Sequence, residues 1–151
     1  PALLMLAALA LGTAATPASA GDRAVDAHPF VPVYETNFPD PFIVPHAGRF
    51  LAYATNAERF AANIQMAQSD DLVNWAPIER DGRLHDAMPV LPPWAQEGWT
   101  LAPEVLKLGD RFLMYFTARE RASGLKCTGV AHSTEPLGPF VSDASAPLVC
   151  Q

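Results

Sequence analysis

Charge is scarce in this 151-residue chain, where Asp, Glu, Lys and Arg together make up 17% of the residues. The net charge is −6 and no cluster of Lys or Arg occurs, so nothing supports nucleic-acid binding. Long helical patterns are missing after the first twenty residues. Fifteen prolines fit that lack, because each fixes φ and removes a backbone donor. Many turns and short elements are expected instead. Cysteine is limited to Cys127 and Cys150, and His28, His46, His85 and His132 are scattered singly. No Cys or His spacing suggests zinc or another metal.

Only the N-terminus is continuously apolar. Ala2 to Ala15 is followed by Thr16-Pro17-Ala18-Ser19-Ala20, an Ala-x-Ala cleavage pattern. This predicts a secretory signal peptide over 1–20, lacking its positive leader and too short for a comfortable membrane span. A secreted mature chain starting near Gly21 is expected, with no membrane segment. In an oxidising compartment Cys127 and Cys150 read as a disulfide, with two buried free thiols as the alternative. Residues 21–36 are polar, without a period, and read as a linker or N-terminal arm.

The stretch Asn37-Phe38-Pro39-Asp40-Pro41-Phe42-Ile43-Val44 anchors the rest of the chain. Asp40 lies between two prolines, and the proline after it predicts an extended, stiff backbone there. A carboxylate at the mouth of a strand suits a ligand better than a core. A plain Pro-Asp turn fits the same octapeptide.

From Asp40 onward the pattern is β. Phe42-Ile43-Val44, Arg49 to Thr55, Asn63 to Ser69 and Leu72 to Ile78 read as four strands, and Glu79 to Gly98 as a long loop. The pattern then returns. Arg49-Phe50-Leu51-Ala52-Tyr53-Ala54-Thr55 recurs as Arg111-Phe112-Leu113-Met114-Tyr115-Phe116-Thr117. Gly129 to Ser133 echoes Gln65 to Ser69, and Gly138-Pro139-Phe140 takes the place of Asn74-Trp75. Landmarks offset by 62 to 64 positions, with an acid at the head of each unit, form an internal repeat. Four-stranded units that cannot bury both faces alone pack around an axis as a β-propeller. The expected fold is all-β, with a first blade over about 40–79 and a second over about 100–143 of a partial propeller domain spanning 37–151. Two blades do not close a ring, so a longer protein is expected.

In a propeller the first strand of each blade lines the central channel. Asp40 and Glu104 would then point into one funnel. Two carboxylates converging in a cavity are the equipment of glycoside hydrolysis. Phe38, Trp94 and Trp99 would offer flat apolar faces to sugar rings, or else pack between blades.

Phe38-Pro39-Asp40-Pro41, Tyr53-Ala54-Thr55-Asn56, Ser69-Asp70-Asp71-Leu72-Val73-Asn74-Trp75, Leu101-Ala102-Pro103-Glu104-Val105 and Leu137-Gly138-Pro139-Phe140 carry a resemblance. From about Asn37 onward the chain resembles glycoside hydrolase family 43. The resemblance implies a five-bladed propeller that hydrolyses arabinose- or xylose-containing plant polysaccharides with inversion. It implies that Asp40 is the general base and that Glu104 orients the general acid and tunes its pKa. The family usually has Trp-Ala-Pro-Asp where this chain has Leu101-Ala102-Pro103-Glu104. Its general acid, a Glu on a later blade, and the central-channel metal ligand of some members would lie beyond Gln151. No cofactor is therefore expected within these residues, and the fragment alone is expected to be inactive.

Competing readings are a non-catalytic carbohydrate-binding propeller, a retaining fructan hydrolase and a structural propeller whose acids cap strands. The fructan enzymes carry an Asn-Asp-Pro-type motif, whereas here Phe38-Pro39 separates Asn37 from Asp40. Arabinan or arabinofuranosides are favoured over xylan on overall resemblance. The partner is a carbohydrate; no oligomeric state is indicated.

Overall fold

A computed structural model of the chain describes residues 32–56 and 61–151. The expected signal peptide and most of the 21–36 arm lie outside the described residues. All the described residues fall in one compact unit, Val31–Gln151. Among them, no helix is long and apolar enough to cross a membrane.

The first sheet holds β1 (Phe42–His46), β2 (Arg49–Thr55), β3 (Ile64–Ser69) and β4 (Trp75–Pro77), antiparallel and in that spatial order. Ala47 and Gly48 close β1 onto β2 with φ of 49° and 81°. Two positive φ values in a two-residue loop match the right-handed twist of the strands they join.

The Ser69 to Trp75 stretch is a turn tied by its own side chains. Asp71 Oδ1 accepts the N–H groups of Val73 (2.9 Å) and Asn74 (2.7 Å), and Oδ2 accepts Asn74 Nδ2 at 2.6 Å. Ser69 Oγ accepts Leu72 N–H at 2.9 Å, and Trp75 Nε1 donates to Leu72 O at 3.0 Å. These bonds, led by the Asn74 backbone N–H and then its side chain, hold the exposed Asp71 carboxyl far below the usual carboxylate range. The turn consumes residues expected in a fourth strand over Leu72–Ile78, so β4 shrinks to three residues.

The segment expected as a loop from Glu79 to Gly98 is more structured than that. It opens with a small hairpin, β5 (Glu79–Arg80) and β6 (Arg83–Leu84), around Asp81-Gly82. Its end is already the start of β7 (Ala95–Leu108). The second sheet is built from β7, β8 (Arg111–Glu120), β9 (Lys126–Ser133) and β10 (Val149–Cys150), each antiparallel to its neighbour.

The fourth strand of the second sheet is interrupted. Val141 bridges His132 at one end of β9, and β10 returns to the other end beyond residue 143. The first sheet has the same interruption: β4 leaves, and Asp86 returns to bridge Gln65. Each return is pinned differently. Asp86 accepts the N–H groups of Asn63, Ile64 and Met88, whereas Cys150 is disulfide-bonded to Cys127 directly opposite.

The two sheets pack face to face through one core. Leu51, Tyr53 and Met66 of the first meet Val105, Phe112, Met114 and Phe116 of the second. Tyr53 is fully buried, its ring edge-on to Phe140, and its hydroxyl donates to Pro136 O at 2.6 Å. Burial pushes that phenol well above its ordinary pKa. Trp94 stacks on Phe116 with 5.9 Å between centroids, and Gly129 makes room for both rings. A Cβ at Gly129 would stand 2.6 Å from Trp94 Cζ2.

Register fixes how the repeats correspond. Tyr53 faces Phe42 and Met66, while Tyr115 faces Glu104 and Val130. The offset is thus 62 through the first two strands and 64 in the third. Pro39 O accepts Thr55 N–H at 3.1 Å, just as Leu101 pairs with Thr117. Between this pair and the next, each inner strand carries one extra residue, a β-bulge. Asp40 and Ala102 occupy the two bulges, with φ of 52° and 46°. The expectation that Asp40 and Glu104 hold equivalent positions is corrected here: Asp40 corresponds to Ala102, and Glu104 to Phe42.

Candidate active site

The bulge overrides the extended backbone expected at Asp40. A φ of 52° is left-handed, which Asp tolerates better than most residues. The turn aims the carboxylate back along the sheet, where Thr55 Oγ1 donates to Asp40 Oδ2 at 2.7 Å. The same Thr55 oxygen accepts Ala102 N–H at 2.8 Å. Two bulged residues, one from each sheet, are therefore joined through one hydroxyl. Thr55 is only 6% exposed, whereas Asp40 is exposed.

Asp40 lines a cleft of about 380 Å³ together with Ala102, Thr117, Lys126, Thr128 and Val149. Thr117, Thr128 and Val149 lie opposite one another in a row across β8, β9 and β10. Glu104 is exposed and does not line the cleft, but it faces Tyr115, two residues before Thr117 in β8. Successive residues of a strand alternate in face, so Glu104 shares the cleft face one row along. Glu104 and Asp40 thus lie toward one open face without being in contact.

The aromatics divide. Trp94 is 5% exposed and stacked in the core, so its expected role as a platform for a sugar ring does not hold. Its ring fills the space that Gly129 leaves. Trp99 is half-buried, with the Arg119 guanidinium 4.3 Å from its ring centroid. Arg119 shares a face with Thr117, which sets this pair beside the cleft. Phe38 is half-buried two residues before Asp40, its ring edge-on to Tyr34 at 5.3 Å.

Sequence reasoning passed over Thr55, Ala102 and Thr117 as site residues. Pro41 and Pro103 were the available signal: aligning on these prolines pairs Asp40 with Ala102 and Thr55 with Thr117. Among the described residues, no three His, Cys, Asp or Glu side chains are grouped so as to hold a metal ion.

Chemically, the carboxylate of Asp40 is held by one oxygen and exposed at a cleft. A carboxylate offers about four lone-pair sites, so one bond from Thr55 leaves capacity to orient and deprotonate a water. That is the equipment of a general base.

Comparison with known proteins bears on the family and the fold. Glycosyl hydrolases family 43 matches residues 30–149. A thermostable family 43 glycoside hydrolase is 30% identical over 69% of this chain and 31% of its own, with a TM-score of 0.56. An endo-arabinase from Bacteroides thetaiotaomicron is 23% identical over 80% of this chain and 38% of its own, with a TM-score of 0.55. A family 43 enzyme from Xanthomonas citri complexed with xylose is 24% identical over 78% and 35%, with a TM-score of 0.52. The latter two likenesses speak to the fold alone. No curated protein matches the chain. The chain spans about a third of the length of these solved structures. With the family matched over most of its length, the chain belongs to glycosyl hydrolase family 43, a family of inverting O-glycosyl hydrolases.

Proposed function

We propose that this chain is part of a secreted glycoside hydrolase that cleaves arabinose- or xylose-containing plant polysaccharides with inversion. In this reading the two sheets are two blades of a five-bladed propeller, stacked about the axis that β1 and β7 line. Asp40 is the general base. It accepts a proton from a water held in the cleft while that water attacks the anomeric carbon. Glu104, on the same face, orients the general acid and sets its protonation. The observation that carries the reading is the exposed Asp40 carboxylate, fixed by Thr55 at the cleft.

Inversion needs a base and an acid roughly 6.5–9.5 Å apart, with water between base and sugar. The acid in this proposal is a Glu from the part of the fold that this chain does not span. General acid catalysis contributes about 10²–10⁴-fold, so the 151 residues alone are expected to be inactive. Phe38 and Trp99 provide the aromatic contacts to sugar, while Trp94 has a packing role. Arabinan or arabinofuranosides are the preferred substrates and xylan the second choice.

The test is the complete reading frame, with and without Asp40→Asn, assayed on arabinan, aryl arabinofuranoside and aryl xyloside. Activity in the parent that collapses at least about 10²-fold in the variant supports the reading. An inactive parent that still binds arabino-oligosaccharides would replace it with a non-catalytic carbohydrate-binding propeller.

A further inference from the structure

We infer that Thr55 is a positioning residue for Asp40, and that it couples the carboxylate to the neighbouring sheet through the backbone of Ala102. The inference rests on Asp40 being the base.

The direction of the chain of bonds is set by chemistry. Ala102 N–H can only donate, and it does so to Thr55 Oγ1 at 2.8 Å. An ionised carboxylate can only accept, so the one Thr55 proton goes to Asp40 Oδ2 at 2.7 Å. The hydroxyl rotor is thereby fixed from both sides. Its backbone is fixed too: Thr55 N–H donates to Pro39 O, and Asn56 N–H donates to Thr100 O across the sheets. Thr55 O accepts Gln65 Nε2 at 2.6 Å. Threonine suits the position because its β-branch limits χ1.

Asp40 gains two things. One oxygen is tied down, so the other capacity of the carboxylate has a set direction. Its distance from whatever the second sheet presents is also set, because Ala102 begins the bulge that leads through Pro103 to Glu104. Thr55 thus sets the base relative to the sheet that carries the second acid. A displacement of about 1 Å in a reacting group can cost about 10²-fold in rate.

The test is steady-state kinetics on the complete protein, with Thr55→Val, Thr55→Ser and Asp40→Asn measured beside the parent. Thr55→Val keeps the shape and removes the hydroxyl. It is expected to lower kcat about 10- to 100-fold with KM within about twofold of the parent. Thr55→Ser keeps the hydroxyl and is expected to hold kcat within about threefold, although its loss of the methyl lowers the melting temperature. A purely structural Thr55 would instead make kcat follow the melting temperature in both variants, including Thr55→Val, which strands the Ala102 N–H. Parent-like kcat in Thr55→Val would overturn the inference, as would a more than tenfold loss in a folded Thr55→Ser. If Thr55→Val does not fold, the serine variant alone decides. Parental activity in Asp40→Asn would instead sink the general-base reading itself, so the two failures are distinguishable.

Discussion

Tyr53 and Tyr115 occupy the same place in two copies of one motif, yet they live in different surroundings. Tyr53 has no exposed surface and donates to Pro136 O in the turn after β9; Tyr115 is 37% exposed. Thr55 is buried between two hydrogen-bonded partners, whereas Thr117, its counterpart, lines the open cleft. The motif itself is nearly identical. The difference is whether another sheet packs on top. The second sheet covers the first, and the second sheet's own outer face carries Leu106, Tyr115 and Val149 into solvent. Repeat sequences therefore specify a sheet with two faces to cover, not a finished environment.

The largest effect that would break the comparison is at the tyrosines. Tyr53→Ala empties a packed position between the sheets and is expected to cost about 3–5 kcal/mol in urea denaturation of this chain. Tyr115→Ala is expected to cost under about 1 kcal/mol in the same measurement, since it is a surface change. In the complete protein the propeller reading requires Tyr115→Ala to approach the cost of Tyr53→Ala. Equal small costs in both contexts would mean that no third sheet stacks there.

Next come the two pins of the returning outer strands. Reducing Cys127–Cys150 opens a loop with a sequence separation of 23. Chain entropy puts this at about 3 kcal/mol. Asp86→Ala, the corresponding lesion in the first sheet, strands three N–H donors and is expected to cost about 2–3 kcal/mol. Denaturation midpoints with and without reductant, and with the substitution, compare a covalent with a hydrogen-bonded solution to one topological problem. A reductant-insensitive midpoint would show that the disulfide contributes nothing to stability.

Much of the fold was legible because its signals are local. Short apolar and aromatic runs placed β1 and β2, the polar–apolar pattern from Asn63 to Ser69 placed β3, and the repeat placed β8 and β9. The features that escaped were set by register and tertiary packing. The proline rule favours an extended Asp40, but an extra residue opposite Ala54 forces a bulge, and no local rule reports that. A Trp in a proline-rich loop has no period to announce burial, so Trp94 read as a candidate sugar platform. Asp40 was legible as a candidate site residue because two prolines isolate it. Its partner Thr55 was not, because a strand-terminal Thr looks like every other strand-terminal Thr until the second sheet is docked.

A smaller test separates the third strands. Gln65 and Gly129 are counterparts, one donating to Asn37 O and Thr55 O, the other leaving space for two rings. Gly129→Ala drives a methyl into Trp94 and Phe116 and is expected to cost about 1–3 kcal/mol through overpacking. Near-UV circular dichroism should register the displaced indole. An unchanged spectrum with unchanged stability would show that the stack tolerates the methyl.

The smallest effect compares the turns after β3 and β9. Ser69 and Ser133 both accept an N–H from the residue two further on. Only the first turn adds a carboxylate, Asp71, that accepts three N–H bonds from Val73 and Asn74. Because the folded Asp71 pKa is depressed, its contribution is fully present above the unfolded value, about 3.9. It is lost as pH falls from there toward the lower folded value. The turn is exposed, so the loss should be local. Hydrogen exchange at the Val73 and Asn74 amides, corrected for intrinsic rates, should lose protection below about pH 4, while amides beside Glu135 do not change in step. Asp71→Asn should abolish that pH dependence. Protection that persists to about pH 2 in the parent, with no difference from Asp71→Asn, would show that the first turn holds without the Asp71 carboxylate.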